Sequence, residues 1–129
     1  MSEVKEEYKN VAIFGQGYVG LPLSLSFALR GCNVYGVDVV EKLVNEINNG
    51  ITYHTEKFED KGIREILNDE LKNKRYRATL DFNEAMDVCN NIIVTVGIPI
   101  KNGEYELSDL LDCCRKIGKK LKKGDLIVI

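Results

Sequence analysis

The sequence predicts an α/β protein, a doubly wound parallel sheet in three α/β/α layers. Three observations carry that expectation. Short apolar, β-rich runs alternate with segments of helical periodicity along the chain. The first run, Val11 to Phe14, leads straight into the glycine turn Gly15-Gln16-Gly17-Tyr18-Val19-Gly20. The second run, Asn33 to Val37, is followed by an acid, Asp38. Alternation of this kind implies parallel strands joined by right-handed crossovers. A glycine turn after the first strand places a ligand at the carboxyl ends of the strands, where the chain order reverses. The expected architecture is Rossmann-like.

Residues Met1 to Lys9 read as a polar lead-in. The first strand is expected over 10–14 and the first helix over 18–30, with Pro22 tolerated in the first turn and Gly31 closing it as a C-cap glycine. A second strand follows over 33–37. Leu43, Val44 and Ile47 recur at helical spacing over 41–48, and Asn49-Gly50 stops that helix. The stretch 51–60 is polar and aromatic and reads as a loop. Next come a helix over 61–71, a strand over 76–80 and a brief helix over 83–87. Asn91 to Val96 is a β-branched run suited to a strand buried on both faces, which Gly97-Ile98-Pro99 breaks. Ser108 is expected to cap a helix reaching Leu121, and Leu126 to Ile129 form a fifth strand. That strand should be central or nearly so, whereas a six-stranded dinucleotide domain needs another strand and helix. The expectation is one domain over 1–129, the first part of a longer protein truncated after its fifth strand.

Each glycine of the turn has a physical task. Gly15 lets the chain turn sharply, Gly17 removes a Cβ that would block a phosphate, and Gly20 lets the helix lie close to the sheet. Free backbone N–H groups and the helix dipole then attract a pyrophosphate without a lysine. Tyr18 and Val19 belong to the same contact surface. Asp38 lies eighteen residues past Gly20, near the spacing of a ribose-binding acid. A carboxylate there accepts ribose hydroxyls and repels a 2′-phosphate, so NAD is expected over NADP. The plainer reading makes the glycines a loop and Asp38 the cap of the next helix.

Length and composition set limits. A chain of 129 residues fits one domain with a real core, and a formal charge of −2 suggests neither disorder nor nucleic-acid affinity. Lys116, Lys119, Lys120, Lys122 and Lys123 read as a solvated helix end. Cys32, Cys89, Cys113 and Cys114 form no C-x-x-C pair, and adjacent helical residues point about 100 degrees apart, poorly placed to share one metal ion. With no signal sequence visible, reduced thiols in a cytoplasmic protein are the default. No apolar run approaches the roughly twenty residues that span a membrane. His54 is the only histidine and reads as a surface-loop residue.

The chain resembles the NAD-binding domain of the UDP-glucose/GDP-mannose dehydrogenase family. The resemblance runs from Asn10 onward and rests on Gly15 to Leu23, Gly36-Val37-Asp38, Asn49-Gly50, Arg77 to Phe82, Val94 to Pro99 and Gly103 to Leu110. Within the family, Pro99-Ile100-Lys101-Asn102-Gly103-Glu104 looks closest to the branch acting on UDP-N-acetylmannosamine. The resemblance implies oxidation of a nucleotide sugar at C6 from alcohol to carboxylate, with two NAD consumed and a cysteine-bound thioester on the way. That cysteine, with its lysine and asparagine, lies beyond the first domain in the family. Cys89, Cys113 and Cys114 do not match its motif, so no catalytic residue is expected in this chain. By the same resemblance, Val96 and Gly97 after the fourth strand join Gly15, Gly17, Tyr18, Val19, Gly20 and Asp38 as expected cofactor contacts. UDP-sugar is expected as a partner only of the full-length protein, alongside a possible homodimer.

Three departures stand out. The family often has Val-Gly-Thr-Pro where this chain has Ile98 before Pro99. A basic residue commonly lies five positions past the acid, where this chain has Leu43 beside Lys42. The usual Tyr-x-Pro-Gly loop is replaced by Tyr53-His54-Thr55-Glu56-Lys57. Two other functions compete: a stand-alone NAD-sensing module, and a hydroxyacid or 6-phosphogluconate-type dehydrogenase sharing only the first forty residues. The segments around Leu21-Pro22-Leu23 and Ile98 to Tyr105 argue against the sensor, and the helix-rich length between Asp38 and the Gly97-Ile98-Pro99 turn argues against the other dehydrogenase.

Overall fold

The computed structural model describes residues 3–129, so Met1 and Ser2 of the polar lead-in lie outside the described residues. After a 3-10 turn at Glu6–Tyr8 come β1 (Asn10–Phe14), α1 (Gly20–Leu29), β2 (Asn33–Val37) and α2 (Glu41–Asn48). A small hairpin, β3 (Lys57–Phe58) and β4 (Lys61–Gly62), leads into α3 (Ile63–Lys72), β5 (Tyr76–Thr79), α4 (Phe82–Val88) and β6 (Asn91–Val94). A second hairpin, β7 (Ile100–Lys101) and β8 (Glu104–Tyr105), precedes α5 (Ser108–Lys120) and β9 (Leu126–Val128).

Five strands form a wholly parallel sheet in the order β5-β2-β1-β6-β9. From β1 the chain steps outward through β2 to β5, then returns to the other side of β1 for β6 and β9. The reversal lies between β1 and β6, and in sheets of this kind a ligand binds at the carboxyl ends of the strands there. The pleat splits the core in two. Val11 and Ile13 of β1 face a cluster built with α1, α2 and α3, while Ala12 and Phe14 face one built with α4 and α5. Burial of β1 on both faces explains why its sequence is continuously apolar instead of alternating.

The helix ends follow their sequence signals. At the end of α1, the Gly31 N–H donates to the Ala28 carbonyl (2.9 Å) and the Cys32 N–H to the Phe27 carbonyl (3.1 Å), with Gly31 at φ +99°. This is the Schellman arrangement the glycine predicted. One sheet edge is closed by a side chain: the Asn48 amide donates to the Ala78 carbonyl (2.8 Å) and accepts the Ala78 N–H (2.9 Å), as a further strand would. Part of the basic run is tied to α4, with Lys122 Nζ donating to the Met86 carbonyl (2.6 Å) and Lys120 lying 3.5 Å from Asp87.

Several expectations need correction. The first helix begins at Gly20 because Gly17 to Val19 form a turn. The third begins at Ile63, since Lys61 and Gly62 pair with Lys57 and Phe58 inside the stretch expected as loop. β6 ends at Val94, and Thr95 turns toward the glycine loop. Ser108 does not cap α5. It is the first helical residue, and the Glu106 carboxylate accepts its N–H at 3.1 Å. The Ser108 hydrogen bonds hold the Glu106 carboxyl below its ordinary value. β9 is the outermost strand among the described residues, with Leu126 and Val128 about half exposed.

Candidate dinucleotide-binding site

The glycine turn is built by its neighbours. Gly15 sits at φ +95°, and a Cβ there would lie 2.7 Å from the Thr95 carbonyl oxygen. A Cβ on Gly20 would run into the Gly15 carbonyl and the Thr95 hydroxyl. That hydroxyl donates to the Gly15 carbonyl at 2.8 Å, so Thr95 staples the turn to the end of β6. Gly17 differs. It is exposed, its φ is not positive, and a Cβ on it would meet nothing within 4 Å. Nothing in the protein itself requires glycine at this position.

Beyond Gly17 the backbone donors are unspent. Among the described residues, the N–H groups of Gly17, Tyr18 and Val19 find no acceptor. Tyr18 and Val19, just before α1, are mostly exposed, at 86% and 65%. Free N–H groups at a helix N-terminus form an anion site.

Asp38 reaches across to this turn from the end of β2. Its Oδ2 accepts the Gln16 N–H at 2.8 Å and its Oδ1 accepts the Val40 N–H at 3.1 Å. The plainer sequence reading was partly right, because Asp38 does bond at the start of α2, although Val40 holds the cap position. A carboxylate offers about four lone-pair sites, and two remain for ligand hydroxyls.

Sequence reasoning missed Gln16. Its side chain is 1% exposed and lies under the turn. Nε2 donates to the carbonyls of Ile13 (3.0 Å) and Gly15 (3.2 Å), and Oε1 accepts the Tyr76 hydroxyl at 2.7 Å. Glycine at the strand position beside it makes room for the amide, since a Cβ on Gly36 would lie 2.5 Å from Gln16 Oε1 and force the Gln16 and Tyr76 side chains to shift. Burial pushes the Tyr76 phenol far up, so it remains a neutral donor. A polar residue inside an otherwise apolar strand-to-helix corner was the available signal.

Of the two remaining expected contacts, Gly97 is exposed with nothing within 4 Å of its Cβ position. Val96 is half-buried and packs against the α4–α5 core. His54 also comes to the turn, with Nε2 3.4 Å from the Tyr18 carbonyl. A cleft of about 240 Å³ lies here, lined by Gly17, Tyr18, Leu43, Glu46, Ile51 and His54 among others. A larger depression, about 460 Å³, lies on the outer face of α2 and touches no residue of the glycine turn. The smaller one touches the turn at Gln16, Gly17 and Tyr18 and is lined by none of Asp38, Val19, Val96 and Gly97.

The cysteines take no part. Burial pushes the Cys89 thiol up to about 12 and Cys113 up to about 11. Both are neutral, weak nucleophiles at physiological pH. No group of three or more His, Cys, Asp or Glu among the described residues is placed to hold a metal ion.

The family model of the UDP-glucose/GDP-mannose dehydrogenase family, NAD binding domain, matches residues 9–129. The chain belongs to this family. NAD is the cofactor of the domain. GDP-mannose 6-dehydrogenase of Pseudomonas syringae pv. tomato is 36% identical over 113 residues, covering 87% of this chain and 25% of that protein. UDP-N-acetyl-D-mannosamine dehydrogenase of Methanococcus vannielii is 33% identical, covering 97% of this chain and 29% of its own length. Among solved structures, GDP-mannose dehydrogenase from Pseudomonas aeruginosa, in a ternary complex, superposes with a TM-score of 0.77 at 31% identity, covering 88% of this chain and 26% of that one. The chain thus spans about a quarter of the length of the curated relatives it matches. The match reaches well past the first forty residues, and neither a sensor module nor a hydroxyacid dehydrogenase is favoured.

Proposed function

We propose that this chain is the N-terminal NAD-binding module of a nucleotide-sugar 6-dehydrogenase. Residues 1–129 hold the cofactor, and a substrate and catalytic domain belonging to the longer protein completes the enzyme. The observation that carries the reading is Gly17, a glycine that the fold does not need, set among unspent amide donors. The diphosphate lies on the amides of Gly17, Tyr18 and Val19. The adenosine ribose hydroxyls donate to Asp38, whose negative charge rejects a 2′-phosphate. Gly15 and Gly20 shape the turn, while Val96 and Gly97 border the crevice on the nicotinamide side. When bound, NAD supplies a hydride acceptor, and this chain's residues hold and orient it.

In the full-length protein the substrate is a UDP-sugar or a related nucleotide sugar, oxidised at C6. Relatives named for GDP-mannose, UDP-N-acetylglucosamine and UDP-N-acetylmannosamine match at similar identity, so the choice of sugar rests with the other domain. A cytoplasmic location belongs to the same proposal, in keeping with four free cysteines. So does a homodimer.

Calorimetric titration of the chain with NAD, NADP and, separately, UDP-sugars tests the reading. NAD should bind, NADP should bind far more weakly, and no UDP-sugar should be turned over. Replacing Asp38 by Ala should weaken NAD by roughly 1.5–3 kcal/mol, the worth of hydrogen bonds to a charged group. An unchanged dissociation constant would remove Asp38 from the ribose site.

A further inference from the structure

We propose that His54 is a positioning residue for the dinucleotide diphosphate, acting from behind the glycine turn and tying cofactor affinity to pH. The proposal rests on the NAD-binding reading above. A carbonyl only accepts, so the contact between His54 Nε2 and the Tyr18 oxygen, 3.4 Å, requires the proton on Nε2. In the neutral ring Nδ1 is then an acceptor, and the Thr52 hydroxyl, 2.7 Å away, donates to it. The same hydroxyl accepts the His54 N–H at 3.2 Å. The ring also stands edge-on to Tyr18, with centroids 5.7 Å apart. Three contacts therefore fix one imidazole against one peptide group.

That peptide is the important one. The Tyr18 carbonyl and the Val19 N–H belong to the same planar trans unit and point in opposite directions. A donor behind the carbonyl polarises and orients the N–H in front, and the Val19 N–H is one of the unspent donors of the turn. An imidazolium does this more strongly than a neutral ring, and it shortens a contact that is long for an uncharged N–H···O bond. Histidine is the side-chain type whose charge changes between about pH 5 and 8.

The groups facing the ring are few. Tyr18 comes from the turn, Thr52 and Tyr53 from the same loop as His54, and Glu46 from α2. Glu46 is the only carboxylate lining the cleft, and Lys42 lies 3.9 Å from it on the solvent side. Leu43, on the first turn of α2, brings no charge, so His54 is the only cleft-lining side chain able to become positive.

The sign follows from linkage. A bound diphosphate, ionised throughout this range, favours the imidazolium, so NAD binds more tightly as pH falls. By the scale of partly exposed charge interactions, the gain is about two- to fivefold between pH 8.0 and 5.5, fading in high salt.

The test is a pH series of NAD titrations on the full 129-residue chain and on His54→Gln, together with the Val19 amide chemical shift of the unliganded chain. Glutamine keeps a neutral donor and does not titrate. Support would be a wild-type slope absent from His54→Gln, with matching affinities at pH 8.0 and a Val19 amide shift that titrates only in wild type. The same slope in both proteins would overturn the role of His54 and leave NAD binding intact. A Val19 shift that is flat with pH would overturn it too, without reference to any variant. Failure of both proteins to bind NAD at every pH would sink the NAD reading and this inference together. Thr52→Val, which removes the partner of Nδ1, should flatten the slope in part if His54→Gln fails to fold.

Discussion

Three glycines within six residues answer to different constraints, and substitution separates them. Gly15→Ala forces a side chain into φ +95° and against the Thr95 carbonyl, so it should cost at least about 1–2 kcal/mol of stability. Gly17→Val should leave the fold within about 0.5 kcal/mol, as an unobstructed surface change does. It should still weaken NAD at least about tenfold by blocking the amides. Thermal melts beside calorimetry separate the two effects, and a Gly17→Val chain that binds NAD normally would refute the diphosphate placement. The motif was legible because each glycine answers to a local rule. Gln16 was not, because its worth depends on Tyr76, sixty residues away, arriving from β5. Lys74 offers the opposite case. It sits at φ +59° just past α3, where α1 and α2 have Gly31 and Gly50. Lys74→Gly should raise stability by about 0.5–1 kcal/mol in a denaturant titration, relieving left-handed strain at some cost in chain entropy.

The major strands and helices were readable from periodicity, with errors confined to their ends. The two hairpins were missed for a simple reason: each strand has two residues, too few to show alternation. A signal existed for the second, since Asn102-Gly103 lies at its tip with φ +52° and +79°, the conformation that a tight hairpin turn demands. Contacts between elements are where the sequence was silent. The clasp of Tyr76 on Gln16 joins β5 to the glycine turn, and Tyr76→Phe should cost about 0.5–1.5 kcal/mol in chemical denaturation. A loss near zero would mean that the Gln16 carbonyl is satisfied without the phenol.

At the scale of the molecule, stability should be level around neutrality and fall in alkali. Cys89 is raised from an ordinary value near 9 to about 12, Cys113 to about 11, and burial raises Cys32 and Tyr76 as well. A raised folded-state value means that the neutral form is favoured by the fold. Its contribution is complete below about pH 9 and drains away as pH climbs through 11 and 12. Melting temperatures from pH 7 to 11.5 would check this, and a curve that rises across that span would contradict it. The two edges of the sheet also contrast. Asn48 closes the β5 side, whereas β9 exposes Leu126 and Val128 and has no comparable cover among the described residues.

In the NAD site proposed above, the bond from the Gln16 amide to Asp38 ties the proposed ribose acceptor to the turn proposed for the diphosphate. On that proposal, coenzyme preference and turn geometry are not separate traits in this chain. An engineer who replaces Asp38 to admit a 2′-phosphate also unties the backbone that cradles the diphosphate, and the new coenzyme meets a looser seat. Switching to NADP is a problem in epistasis: a second change near Gln16 has to restore the lost acceptor before a basic residue at the ribose can be effective.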